Sequence, residues 1–326
     1  MISIFILGAR TLSAVLSKRK PPCAKKSLEK LKKSISKINI FRYSQQEALT
    51  RSLILKKLIF LTLTLFLSLS TFARHPYYPE KYQQLFYQGA LYDEELKGIL
   101  FHILSAPHQI NEKGTDSLSC SDKKKACYGH LDLGYRGARR VLFGQLHLKQ
   151  SDSGYYIRDV YCHNIMTKND GVGYNQIPNH EKINCEHTWP QSRFSRRFAE
   201  SQQKSDLHHL YPTDSRANSV RGHAEFADLK YGTTVKNCDA SRTEGGGGKY
   251  EPPTEHKGNV ARAIFYFSVR YQMKISKEEE ATLRSWHIID PVDAEEMERN
   301  EKIYQVQHNR NPFIDWPELV DYVGNF

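Results

Sequence analysis

Asn184-Cys185-Glu186-His187-Thr188-Trp189-Pro190-Gln191-Ser192 decides the reading of this chain, together with Asp206-Leu207-His208-His209-Leu210-Tyr211-Pro212 and Asn218. Glu186 and His187 put a carboxylate and an imidazole side by side on a segment short enough to be a strand end. A period of two would send them to opposite sides, so both can serve one site only if the backbone bends or stops there. Pro190 supports a stop, because it removes a donor and restrains the residue before it. The second stretch returns more nitrogen and oxygen ligands, and Pro212-Thr213-Asp214 is ready to start a helix carrying Asn218. Strand, loop, strand, helix, with Glu-His at one end and Asn at the other, makes a small metal-and-base module.

These blocks resemble a known family. Glu186-His187-x-Trp-Pro-x-Ser, Asp206-Leu-His-His-Leu-x-Pro and Asn218-Ser219-x-Arg221-Gly222 are similar to the secreted and periplasmic endonuclease I family. The match continues through Glu251-Pro252-Pro253, Lys257 to Arg262, and Asn309-Arg310-Asn311-Pro312-Phe313. The resemblance covers residues 75 to 320 in separated blocks. It implies a non-specific nuclease whose site is a ββα-metal (His-Me) finger, with 5′-phosphate products. The chain departs from the family's pattern at His223, where asparagine is expected, and its cysteine pattern matches only in part.

The residues suit that chemistry. Phosphodiester hydrolysis needs a nucleophilic water, charge neutralisation on the phosphate and help for the departing 3′ oxygen. Imidazole is a natural base near neutral pH, and His187 takes that role. A hard divalent cation prefers oxygen ligands, and magnesium keeps several waters, so Glu186 and the amide oxygen of Asn218 suffice as protein ligands. Mg²⁺ is the expected ion, with Mn²⁺ or Ca²⁺ able to occupy the same site. Arginine forks bind phosphate bidentately. Arg221, inside the matched block, is the first choice for transition-state stabilisation. Trp189, Arg193, Arg196 and Arg216 are the candidate substrate contacts, with Arg197 in the same cluster. Of His208 and His209, one is expected to orient the base or hold the second strand and the other to face solvent. A His-based zinc or nickel site is the competing metal reading, but no His-Glu-x-x-His helix is present to strengthen it.

The first 57 residues differ from the rest, with 14 Lys or Arg and only two acids. An uncharged run from Leu58 to Phe72 follows, then Ala73. Residues 58–73 read as the hydrophobic segment of a secretory signal; the run is short for a membrane span. This reassigns the charge. The chain carries 47 basic and 36 acidic residues, net +11. The leader holds 14 and two of them, which leaves residues 74–326 with 33 and 34, net −1. Bulk charge is therefore no argument for nucleic-acid binding, and any such surface must come from local clustering.

Residues 74–326 suit one domain: α+β, mostly helical, built around the ββα-metal finger. Five cysteines remain there, at 120, 127, 162, 185 and 238. Cys120 and Cys127 make a plausible local bridge. Cys162 with Cys185 would staple the site, with Cys238 left over or replacing one of those partners, since pairing is not deducible from sequence. Residues 78–105 read as helical, capped at Asp93, and 106–137 as loop. Val141-Leu142-Phe143 and Leu146-His147-Leu148 lead into a hairpin returning through Tyr155–Tyr161. Gly245–Gly248 reads as a turn. Pro252-Pro253-Thr254 opens a helix with a Val260, Ile264, Phe267, Tyr271 stripe. Ser276 and Glu279 box the next helix, and Asp290-Pro291 starts a third.

The expected function is divalent-metal-dependent, sequence-independent endonuclease activity on DNA, with RNA as a second substrate class. The expected location is the periplasm or the exterior, as a monomer without stable membrane association once the signal is cleaved. The alternatives are an exported phosphoesterase of small substrates and a non-catalytic nucleic-acid-binding module.

Overall fold

A computed structural model describes residues 75–111, 114–120 and 126–326. The basic leader and the apolar run 58–73 lie outside the described residues. Among the described residues no helix is long and apolar enough to cross a membrane.

The centre is the helix Thr254–Tyr271, in which all residues but Thr254, Glu255 and Asn259 are buried. The stripe expected from sequence is there, but the helix is enclosed on nearly every side, and its buried charges are paired, Arg262 with Glu296 and Lys257 with Glu251. Helices Asp93–Ser105 and Lys277–Ile289 pack against it. Phe265 stacks on the C-terminal Phe326 at 4.2 Å, so the tail is a packed arm. A second, smaller core gathers Ala138, Leu142, Ile157, Ile183, Cys185, Leu210 and Ile303.

Small sheets surround these cores. Ile183–His187 pairs antiparallel with Leu210–Asp214, Glu186 opposite Tyr211 and His187 opposite Leu210. This two-stranded site hairpin carries the short helix Ser215–Arg221 against it. A three-stranded antiparallel sheet is formed by Lys149–Ser151, Gly154–Arg158 and Ile165–Thr167. Four strands, Thr233–Val235, Cys238–Thr243, Lys249–Glu251 and Glu225–Phe226, lie in that order, the last pair parallel. The turn expected at Gly245–Gly248 joins the second of these strands to the third.

Several expectations change. Residues 78–105 form two helices, Glu80–Gln88 and Asp93–Ser105, broken where Gly89 takes a φ of 55°. Asp93 is the first helical residue, and its carboxylate accepts from the Gly324 N–H at 2.8 Å instead of capping. Gly134–Val141 is helical and runs on as a wider helical turn over Leu142–Leu146, so the lead-in to the expected hairpin is helix, and the hairpin itself is confined to Lys149–Ser151 and Gly154–Arg158. Ala138 and Leu142 are both buried there; their i, i+4 spacing is the helical signal that a short apolar run concealed. The third late helix starts at Ala294, capped by Asp293, because Asp290 accepts from the Gly258 N–H at 2.7 Å. Cys120–Cys127 is bridged as expected. Cys162 pairs with Cys238, not with Cys185, which is a buried free thiol.

Candidate active site

The site grows from the end of the hairpin. Asp214 caps the helix Ser215–Arg221, accepting from the N–H groups of Arg216 at 2.9 Å and Ala217 at 3.0 Å. The buried Asp159 gathers the N–H groups of Tyr161, Cys162, Asn164 and Asp214 at 2.7–3.1 Å. One carboxylate thus ties the turn after the strand Gly154–Arg158 to the start of the site helix. The strand stops at His187, so Glu186 and His187 both line one groove of about 400 Å³ with Tyr135, Gln191, Asn218 and His223.

Glu186, Asn218 and His187 are each anchored through one polar atom. Glu186 is only 1% exposed, and its Oε1 accepts from the Tyr161 hydroxyl at 3.0 Å and Arg221 Nη1 at 2.9 Å. No described residue hydrogen-bonds to Oε2. Burial pushes this carboxyl's pKa up, while Arg221 and Tyr161 pull it down. Asn218 donates from Nδ2 to the Cys185 carbonyl at 3.3 Å. A carbonyl can only accept, which assigns the amide, and among the described residues Oδ1 has no hydrogen-bond partner.

The Nε2–H of His187 donates to the Lys204 carbonyl at 3.1 Å. Burial, and next the neighbouring His209, bring its pKa down to about 3, so the ring is neutral. With its one proton on Nε2, the lone pair is on Nδ1, where Gln191 Nε2 approaches to 3.3 Å. His187 is thereby the tautomer that can accept a proton from the groove.

The free atoms are two oxygens, one carboxylate and one amide, which is the donor chemistry of a hard divalent cation. Among the described residues no group of three or more His, Cys, Asp or Glu is placed to hold a metal ion.

The matched region encloses all of this geometry: a family model described as Endonuclease I fits residues 124–318. The chain belongs to the endonuclease I family. It is 36% identical over 159 residues to an extracellular ribonuclease of Bacillus subtilis, covering 43% of this chain and 53% of that protein. It is 29% identical over 118 residues to an extracellular deoxyribonuclease of Aeromonas hydrophila, covering 34% and 49%. An Endonuclease-1 of Buchnera aphidicola is 30% identical over 116 residues, covering 34% and 44%. The chain spans about half the length of the curated relatives it matches.

The other sequence-nominated residues of this endonuclease I relative lie elsewhere. Arg221 is 1% exposed and spends its guanidinium on Glu186 and on the carbonyls of His187, at 2.9 Å, and Thr188, at 2.7 Å. Its hydrogen bonds go to Glu186 and to the backbone behind the site. Trp189 is buried, stacked on Phe267 at 5.2 Å, and its Nε1 donates to the Arg193 carbonyl at 3.1 Å. Arg193 turns to Glu279 at 3.4 Å and Glu225 at 3.8 Å. Arg216 is exposed, but two residues of helix turn it about 200° away from Asn218. Arg196 is exposed and forms no ion pair with a described residue.

His208 and His209, on the helical turn Leu207–His209 that leads into the second strand, are both buried, so neither faces solvent. His209 donates through Nε2 to the Gln203 carbonyl at 2.8 Å and packs 5.4 Å from His187. His208 reaches the Asn309 carbonyl at 3.2 Å.

Sequence reasoning missed Tyr161, Gln191 and Tyr135. Nothing local links position 161 to 186, since the contact is made by folding. Tyr135 did carry a signal in the spacing of Tyr135, Ala138 and Leu142, a helical face. It lies 5.6 Å from His187, with the cations of Arg139 and Lys204 over its ring at 5.5 and 4.9 Å. Arg139 pairs with no described carboxylate and is the cation that the arginine-by-block reading passed over.

Proposed function

We propose that this protein is a divalent-metal-dependent, sequence-independent endonuclease with a His-Me ββα site, cutting DNA and, as a second class, RNA. The observation that carries the proposal is the tethering of Glu186 through Oε1, Asn218 through Nδ2 and His187 through Nε2, which leaves Oε2 and Oδ1 without a hydrogen bond from a described residue and Nδ1 with only the 3.3 Å contact to Gln191 Nε2. Magnesium, or Mn²⁺ or Ca²⁺ in its place, would be held by Glu186 and Asn218 and would supply positive charge for the phosphate and the departing oxygen. His187 accepts the proton of the attacking water at Nδ1 while the Lys204 carbonyl holds Nε2–H, fixing the ring. Water oxygen bonds to phosphorus, the bond to the 3′ oxygen breaks, and the 5′ phosphate remains on the product. Tyr135 with Arg139 supplies an aromatic and cationic wall, a pairing suited to a nucleotide chain.

The proposed setting is outside the cytoplasm, with the protein a monomer. The basic leader with its apolar run, the two disulfides and the extracellular relatives support export, because disulfides persist in oxidising compartments. The test is cleavage of plasmid DNA and of RNA by the protein with Mg²⁺, with EDTA, and with His187→Ala. Loss in both latter arms, with folding intact, is the expected result. A His187→Ala variant that cuts like wild type refutes the assignment of the base. Hydrolysis of a chromogenic monoester without plasmid nicking would favour a small-substrate phosphoesterase.

A further inference from the structure

We propose that Tyr161 is a positioning residue for the metal-facing carboxylate: its hydroxyl, donating to Oε1 of Glu186 at 3.0 Å, fixes the carboxylate so that Oε2 alone is presented to a divalent cation. The inference rests on the proposed function and names a residue which that reading does not require.

Tyr161 is fully buried, and everything about it except the hydroxyl is fastened elsewhere. Its N–H donates to Asp159 at 3.0 Å, and its carbonyl accepts from Ser241 Oγ at 2.8 Å. The ring packs against Tyr250 at 4.9 Å and His256 at 6.1 Å. The next residue, Cys162, is bridged to Cys238. A phenylalanine would satisfy all of those contacts. The hydroxyl is the one group left over, and its partner is Glu186.

Arg221 does not make it redundant. The Nη1 that reaches Oε1 also donates to the His187 carbonyl, while Nη2 holds the Thr188 carbonyl. The guanidinium is thus placed by backbone and supplies charge, with only part of its donor capacity aimed at Glu186. A carboxylate meeting one shared donor can rotate and exchange its oxygens; a second donor on the same oxygen from another direction removes that freedom. Partners of this kind behind a metal ligand alter affinity by roughly 10–100-fold.

The test is Tyr161→Phe in the full chain, with Mn²⁺ binding measured without substrate by electron paramagnetic resonance of the free ion. Mn²⁺ affinity is expected to fall about tenfold. The melting temperature should drop by no more than about 4 °C, as suits one buried hydrogen bond. The Mg²⁺ concentration for half-maximal cleavage should rise by the same factor, and kcat at saturating Mg²⁺ should return to near wild type. Wild-type Mn²⁺ affinity in the variant overturns the inference. So does a loss of kcat that saturating metal does not restore, because the hydroxyl would then act on the reaction itself. If the unaltered protein neither takes up Mn²⁺ nor cuts nucleic acid, the proposed function fails, and this inference with it.

Discussion

Replacing Arg221 separates a residue that touches substrate from one that builds the site. In Arg221→Ala the buried carboxylate of Glu186 loses its cation, and breaking a buried pair from one side costs about 3–5 kcal/mol. The His187 and Thr188 carbonyls lose donors at 2.9 and 2.7 Å, and a buried group left unsatisfied costs about 1–3 kcal/mol. Water entering the vacated space and protonation of Glu186 offset part of this. The net expectation is about 4–6 kcal/mol, a large share of the roughly 5–15 kcal/mol that stabilises a typical domain. For a domain of this size that is a fall of roughly 10–20 °C in melting temperature. Arg221→Lys keeps the charge but cannot hold two backbone carbonyls and a carboxylate at once, so it should lose about half as much. Urea unfolding followed by tryptophan fluorescence measures both. An Arg221→Ala protein as stable as wild type, but with cleavage greatly slowed, would refute the buried-clamp reading and return Arg221 to the substrate.

The remaining predictions concern other parts of the fold. Trp189→Ala should lose about 3–5 kcal/mol of stability, as a core aromatic does, and a variant of unchanged stability but raised KM would mean that the indole meets substrate after all. Opening the Cys162–Cys238 bridge, 76 residues apart, should cost about 4.5 kcal/mol against about 2.5 for the seven-residue Cys120–Cys127 span; equal shifts in urea midpoint for the two serine double variants would contradict that loop-length argument. Burial pushes the pKa of His256 down to about 3 and that of His209 to about 4. Between those values and about 6.5 the unfolded chain binds more protons, so stability is full above pH 6.5 and declines as pH falls. Each ring should cost on the order of 1–2 kcal/mol by pH 5, and a urea midpoint that is flat from pH 7 to 5 would argue against neutral buried rings.

What the sequence could show about the site followed from local chemistry. Pro212 and Asp214 mark where the second strand becomes the site helix, and Pro190 marks a chain that cannot continue a ladder. These signals need no knowledge of the rest of the fold. The direction of a long side chain does need it: Arg193, Arg216 and Arg221 look alike in sequence, yet one faces the late helices, one the solvent and one the interior. The choice between Cys185 and Cys238 as the partner of Cys162 stayed open in the sequence for the same reason. Cys162 and Cys185 are close in sequence and flank the site, but Cys185 points into the smaller core while Cys238 comes back beside Cys162 from the four-stranded sheet. Tyr161 was legible only as a strand aromatic, since its partner lies 25 residues away.

The unpaired Cys185 makes the site hairpin report on its own opening. Its thiol is buried between Asn184 and Glu186, and burial pushes its pKa up to about 12. Alkylating reagents attack the thiolate, so the closed strand is inert, and a lifted strand recovers an ordinary thiol. It is the one free cysteine among the described residues. Labelling at this position therefore clocks how often the strand carrying Glu186 and His187 leaves its place, and a cation that bridges the hairpin to Asn218 should slow that clock in proportion to its occupancy.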